Sequence, residues 1–242
     1  MSGYQTLIAF DAIADFLIAD RKVVEGLSTD DRRWGEIACL LVLDPGGLEL
    51  EESFREALQA GSGSEILEAT LIHAIGYLGI IVCRKARSSL LRALTDLGIP
   101  TSCAGFMPVA TDRAARVESG ARLYDRFDPG RQAKQAATFE GLSSIYYPRA
   151  MELSGLVLDS PVLALRERQI MTVAMLASLG GQNDQLRFHI DVALRHGVDQ
   201  TTLAGIFILV QAYAGMPRAN NAAQLALTVI KERNAIKIYQ GE

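Results

Sequence analysis

The sequence predicts an all-α chain built from two tandem copies of one helical unit. Apolar residues recur at three- and four-residue spacing through most of the chain, and no alternating strand pattern competes with that period. The run from Gln59 to Gly79 also returns as Arg195 to Gly215 at a constant offset of 136 residues. At that offset Ala57/Ala193, Leu58/Leu194, Gly61/Gly197, Leu67/Leu203, Ile72/Ile208, Tyr77/Tyr213, Gly79/Gly215, Ala86/Ala222 and Leu91/Leu227 are identical. A chain of 242 residues, 49% of them hydrophobic, has the material for one large core or two ordinary ones, and the repeat decides for two similar halves.

In the first half, helices are expected over Arg32–Val42, Leu50–Ala60, Ser64–Leu78 and Val82–Leu94, with an Asp44-Pro45-Gly46-Gly47 turn after the first. The connector Thr101–Ser160 is mixed in character. Its stretches Asp112–Tyr124 and Ala133–Met151 are periodic enough to be helical, and Leu142, Ile145, Tyr146 and Tyr147 are expected to pack onto the second repeat. Gly155, Asp159 and Pro161 mark a turn. The second half then repeats the order. Arg166–Leu179 carries Ile170, Val173, Ala174 and Ala177 as one apolar stripe and ends at Gly180-Gly181. Asp184–His196 follows, with Gly197 as its left-handed terminator. Asp199 reads as the N-cap of Gln200–Ala214, Gly215-Met216-Pro217 closes that helix, and Arg218–Arg233 is the last. The division falls near residue 105, giving repeats 1–104 and 105–242.

Composition removes several classes of function. Formal net charge is −4 and no basic run supplies a phosphate-binding surface, so nucleic acid is not an expected partner. Asp11, Asp15 and Asp20 interrupt the apolar residues of the first twenty positions, and no 18-residue uncharged apolar stretch occurs; the expectation is a cytoplasmic protein without a membrane partner. Cys39, Cys83 and Cys103 are odd in number and widely spaced, which indicates neither a disulfide framework nor a cysteine metal site. His73, His189 and His196 share no local ligand spacing, so no metal is expected.

Several blocks in one order then carry a resemblance: Leu165-Arg166-Glu167-Arg168-Gln169-Ile170, Leu176-Ala177-Ser178-Leu179-Gly180-Gly181-Gln182, Leu186-Arg187-Phe188-His189, Ala193-Leu194-Arg195-His196-Gly197-Val198, and Tyr213 through Ala222. Together they resemble the carboxymuconolactone decarboxylase family, over about Arg116 to Glu232. The first half is similar only through the repeat. The resemblance implies an all-helical fold of two alkylhydroperoxidase-D-like repeats packed as a pseudo-dimer, and a homo-oligomer, with a trimer of two-repeat chains favoured because three such chains imitate a hexamer of single units. The peroxidase branch of that superfamily uses Cys-x-x-Cys-x-x-x-His. Counting back from His189, Gln182 and Gln185 stand where those cysteines would be, and an amide cannot attack peroxide.

The decarboxylase-like branch that remains implies a cofactor-free lyase acting on a carboxylated unsaturated lactone or ketone, or a cyclase or isomerase on the same scaffold. His189 occupies the family's histidine position and is the expected proton donor and acceptor, since a histidine exchanges protons near neutrality. The same placement, on a face with Leu186, Ile190 and Ala193, also fits a packed histidine. Gln185, four residues earlier, and Gln182 are candidate donors to an enolate oxygen. Arg168 and Arg187 offer guanidinium forks for a carboxylate, and each also fits a surface salt bridge. Tyr146 and Tyr147 are candidates for an aromatic substrate wall or for core. His73 aligns with Leu209 and reads as core, His196 as a capping residue, and Ser53 stands where the first repeat would need a counterpart of His189. The chain departs from the family at Gln169, where an acidic residue is common, and at Thr201-Thr202-Leu203, where the family has a glutamate-rich run. A non-catalytic ligand-binding or assembly protein is the competing reading.

Overall fold

The computed structural model describes residues 10, 12, 13, 24, 26–100, 112–159 and 161–240, the side chains of 236–240 aside. Cys103, the repeat boundary near 105, and Asp11, Asp15 and Asp20 lie outside them. Among the described residues there are ten helices and no strand: α1 (Thr29–Leu43), α2 (Leu48–Gln59), α3 (Ser64–Asp96), α4 (Arg113–Phe127), α5 (Arg131–Phe139), α6 (Tyr146–Val157), α7 (Leu165–Leu179), α8 (Asn183–Arg195), α9 (Gln200–Ala214) and α10 (Met216–Gln240). The fold is all-α.

Local chemistry sets most of these boundaries. Asp112 accepts from the backbone N–H of Ala115 at 2.9 Å and Asp199 from that of Thr202 at 2.7 Å, so both aspartates satisfy donors that a helix start leaves open. Gly61 (φ 92°) and Gly197 (φ 86°) hold the left-handed conformation just past α2 and α8. Gly79 (φ 78°, ψ 164°) and Gly215 (φ 89°, ψ 159°) share one extended conformation that breaks the helical path. The breaks fall at offset-equivalent positions. Gly79 thereby divides α3, which has the length and apolar composition to cross a membrane, into two shorter helices.

Two expectations for the connector differ from what forms. The stretch Ala133–Met151 is two helices, α5 and α6, because Gly141 and Ser143 interrupt it and the Ser143 hydroxyl accepts from the N–H of Ile145 at 3.1 Å, a turn that competes with helix. Leu142, Ile145 and Tyr146, expected to pack onto the second repeat, are 67, 65 and 49% exposed.

The chain forms two compact units, residues 1–43 with 169–242 and residues 44–168, and the division falls inside α7 between Arg168 and Gln169. Packing thus groups the helices differently from the sequence repeat. In the first unit α9 packs on α1 and α10, and α10 on α8. Its core includes Ile37, Ala38, Ile170, Val173, Ile190, Ala193, Ile206 and Leu209, all fully buried. Gly35 lets α1 approach α9: a Cβ there would lie 2.8 Å from Leu209 Cδ1. Tyr213 of α9 also donates to Glu36 of α1 at 2.5 Å.

In the second unit α2 packs on α3, while α4, α5 and α6 pack together and α6 touches α3. At the α4/α6 crossing two glycines bring the backbones close together. A Cβ on Gly120 would lie 2.0 Å from the carbonyl oxygen of Met151, and one on Gly155 2.0 Å from that of Arg116. Both positions require glycine because the obstacle is main chain. The crossing is pinned by Glu152, which receives Arg149 at 2.7 Å and Arg116 at 2.9 Å, with Arg113 at 3.2 Å.

Candidate functional site

In the first unit, α7 and α8 present two polar side chains to each other inside apolar surroundings. Gln169 is fully buried on the stripe with Ile170 and Val173, and His189 is 8% exposed on the α8 face that buries Leu186, Ile190 and Ala193. Their side chains meet: His189 Nδ1 lies 2.9 Å from Gln169 Oε1. An amide oxygen only accepts, so Nδ1 carries the hydrogen and the neutral ring keeps its lone pair on Nε2. The partner is a neutral amide where a carboxylate would form an ion pair. Gln169 Nε2 is buried and has no hydrogen-bond partner among the described residues, and a buried donor in that condition costs about 1–3 kcal/mol. Phe188 sets its ring edge-on to the imidazole, with centroids 5.1 Å apart.

The other expected residues of this unit do not join the buried pair. Gln182 is the residue preceding the helix, and it and Gln185 are exposed. Arg187 is half-buried and ion-paired to Glu232 of α10, the salt-bridge alternative of the sequence reading. His196 is the C-cap residue of α8, its N–H donating to the carbonyls of Val192 and Ala193. Cys39 is fully buried beside Ser178, and burial pushes its thiol up to about 12. No group of three or more His, Cys, Asp or Glu side chains converges on a metal-sized site among the described residues.

Arg168, Tyr146 and Tyr147 belong to the second unit. Arg168 is 2% exposed, so it forms no surface salt bridge; Nε donates to the Leu163 carbonyl at 3.0 Å and Nη1 to His73 Nδ1 at 3.4 Å. A guanidinium only donates, which fixes His73 Nδ1 as the acceptor. Burial draws the guanidinium below its ordinary value. His73 is core, as expected, but as a hydrogen-bonded polar residue with its ring 5.2 Å from that of Tyr77. Tyr146 packs on Phe139 at 4.9 Å between ring centroids. Tyr147 donates to the Gln132 carbonyl at 3.2 Å and lines a 470 Å³ depression with Val117, Gln132 and Pro148; burial raises its phenol above the ordinary value.

Gln169 is the residue that sequence reasoning noted only as a departure from the family pattern and did not place in the site. It was visible as a polar residue on an otherwise apolar stripe, one turn before Val173, and a fully buried amide in that setting needs a partner.

Residues 146–228, from the start of α6 into α10, match the carboxymuconolactone decarboxylase family. Over this segment the chain is similar to that family. All the expected site residues, and Gln169, fall inside it. The 4-carboxymuconolactone decarboxylase of Acinetobacter baylyi (strain ATCC 33305 / BD413 / ADP1) is a similar protein, 33% identical over 78 residues, which are 32% of this chain and 58% of that protein. The chain thus spans little more than half the length of this relative. Within the matched segment α7 supplies Gln169 and α8 supplies His189, so both residues of the hydrogen-bonded pair lie in it.

Proposed function

We propose that the chain is a cofactor-independent lyase of small-molecule metabolism that decarboxylates or rearranges a carboxylated unsaturated lactone or ketone, with His189 as proton donor and acceptor. The observation that carries the reading is the buried His189–Gln169 pair inside the family segment. The relative from Acinetobacter baylyi, whose name states a decarboxylase, supports the reaction class.

In such a reaction the substrate's C–C bond to its carboxylate breaks, carbon dioxide leaves, and the electron pair moves into an enolate. A protonated His189 then gives its Nε2 proton to carbon, and the neutral ring takes up a proton from solvent to start again. Gln169 holds Nδ1 throughout, which fixes the ring's orientation, and its Nε2 supplies a donor for the enolate oxygen. Gln185 and Gln182, at the exposed N-terminal end of α8, act as further donors to the substrate. General acid–base catalysis of this kind contributes typically ~100- to 10,000-fold.

Metal-stripped wild-type protein and His189→Ala are compared on 4-carboxymuconolactone, following carbon dioxide release. The expected result is turnover in the wild type and a loss of at least about 100-fold in the variant. Equal turnover in both removes His189 from the mechanism. No turnover in either favours a non-catalytic ligand-binding protein.

A further inference from the structure

A cavity of 290 Å³ opens between α9 and α10 of the first unit. Buried Leu203, Phe207 and Ala226 line it together with the more accessible Ile208, Leu227 and Ile230. Gln200 and Gln211 line it as well, eleven residues apart on α9, so it runs about 16 Å along that helix at ~1.5 Å of rise per residue. Asn220, five residues past the Gly215 break, stands with Gln211 at one end. The side-chain amides of Gln200, Gln211 and Asn220 make no hydrogen bond among the described residues. No lining residue is charged.

The repeat shows why this groove is open. At the 136-residue offset Leu203, Ile208 and Leu227 repeat Leu67, Ile72 and Leu91 of α3, so both copies share an aliphatic frame. Within that frame Ala204, Ala219, Ala223 and Ala226 stand where α3 has Glu68, Cys83, Arg87 and Leu90. In α3 Arg87 Nε donates to Glu68 Oε1 at 2.9 Å, across the two segments that Gly79 divides, and Leu90 is buried. The second copy lacks both the ion pair and the larger side chains, and all four alanines line its cavity. Apolar walls left open to water favour an occupant that removes them from it.

We propose that the α9/α10 cavity binds a neutral, elongated apolar molecule with one hydrogen-bonding end, its aliphatic body along Leu203, Phe207, Ile208 and Leu227 and its hydroxyl or carbonyl against the paired amides of Gln211 and Asn220. A charged end would surrender hydration and meet no counter-ion on the wall. A second copy of the chain fits the groove less well. Ile208 and Leu227 are only 45 and 49% exposed, and two half-exposed aliphatic side chains offer far less than the ~800 Å² per partner of a stable interface. The lining comes from α9 and α10, so the site does not rest on the lyase reading of His189.

The test is calorimetric titration of the full chain with n-octanol, octanoate and octylammonium at neutral pH. Saturable n-octanol binding is expected, with both ions at least about tenfold weaker. Ala204→Glu combined with Ala223→Arg, at positions that reach solvent, places in this groove the ion pair that α3 carries and is expected to abolish n-octanol binding. Gln211→Ala combined with Asn220→Ala, both exposed, is expected to weaken n-octanol about threefold or more through the lost hydrogen bond. No saturable n-octanol binding, an ion binding as tightly as the alcohol, or an unchanged affinity in either double variant would each overturn the proposal. A dimer in native mass spectrometry that Ala204→Glu with Ala223→Arg converts to monomer, with no alcohol bound to the wild type, would assign the groove to a second copy instead.

Discussion

His189 of α8 donates its Nδ1 hydrogen to the amide oxygen of Gln169 of α7, 2.9 Å away, and both side chains are buried. The bond joins two residues of the family segment through a neutral acceptor. The amide oxygen carries no net charge, so it favours a charged ring less than a carboxylate in the same place would.

Gln169→Glu places a carboxylate against the imidazole and favours its charged form. Because the ring acts as a proton donor, the alkaline limb of the pH–rate profile on the substrate that turns over is expected to move to higher pH by about one unit or more. Gln169→Leu removes the acceptor altogether, and an about tenfold or larger fall in kcat with a retained fold is expected from a loosened ring. A profile identical in wild type and Gln169→Glu would show that the pair does not govern the proton step.

The α4/α6 crossing admits no side chain at Gly120 or Gly155, since a Cβ at either would lie 2.0 Å from a carbonyl oxygen. Each glycine-to-alanine change is expected to destabilise by about 1–3 kcal/mol in urea unfolding, the usual result of overpacking. The double variant should fall short of the sum, because the first change already forces the helices apart.

Glu152 is held at about 2 by Arg149 first and then by Arg116, with Arg113 alongside, from an ordinary value of 4.5. A carboxylate with a depressed folded value binds fewer protons in the folded state, so its contribution is present above about pH 4.5 and is lost as pH falls toward 2. Stability measured across that window should decline less steeply in Glu152→Gln, and the difference should shrink in high salt, since the arginines are partly exposed. Parallel acid transitions would remove Glu152 as a contributor.

Cys39 and Cys83 are buried and their thiols are raised to about 12 and about 11, in both cases by burial. At pH 8 the thiolate fraction is about one in ten thousand for the first and about one in a thousand for the second. In Cys103→Ser protein, an aromatic disulfide reagent is therefore expected to titrate neither thiol until denaturant is added, and no thiol-dependent peroxide reduction should appear. Rapid native labelling of either would contradict the burial.

What the sequence determined by itself is local. The helix starts at Asp112 and Asp199 and the breaks at Gly61, Gly79, Gly197 and Gly215 follow from chemistry within a few residues, so period, caps and glycines located them. The same locality explains the error over Ala133–Met151, where the helical period outweighed Gly141 and the Ser143 turn. The match of residues 165–222 to a family pattern was legible for the same reason, since motif spacing is a linear property. Tertiary structure alone decided the partners. It set Gln169 against His189 across 20 residues and Arg168 against His73 across 95, and it sent these consecutive residues of α7 into different compact units. It also packed α1 with α9 rather than grouping the helices by repeat, because burial is settled by which apolar faces meet, and a face carries no label for its partner in the sequence.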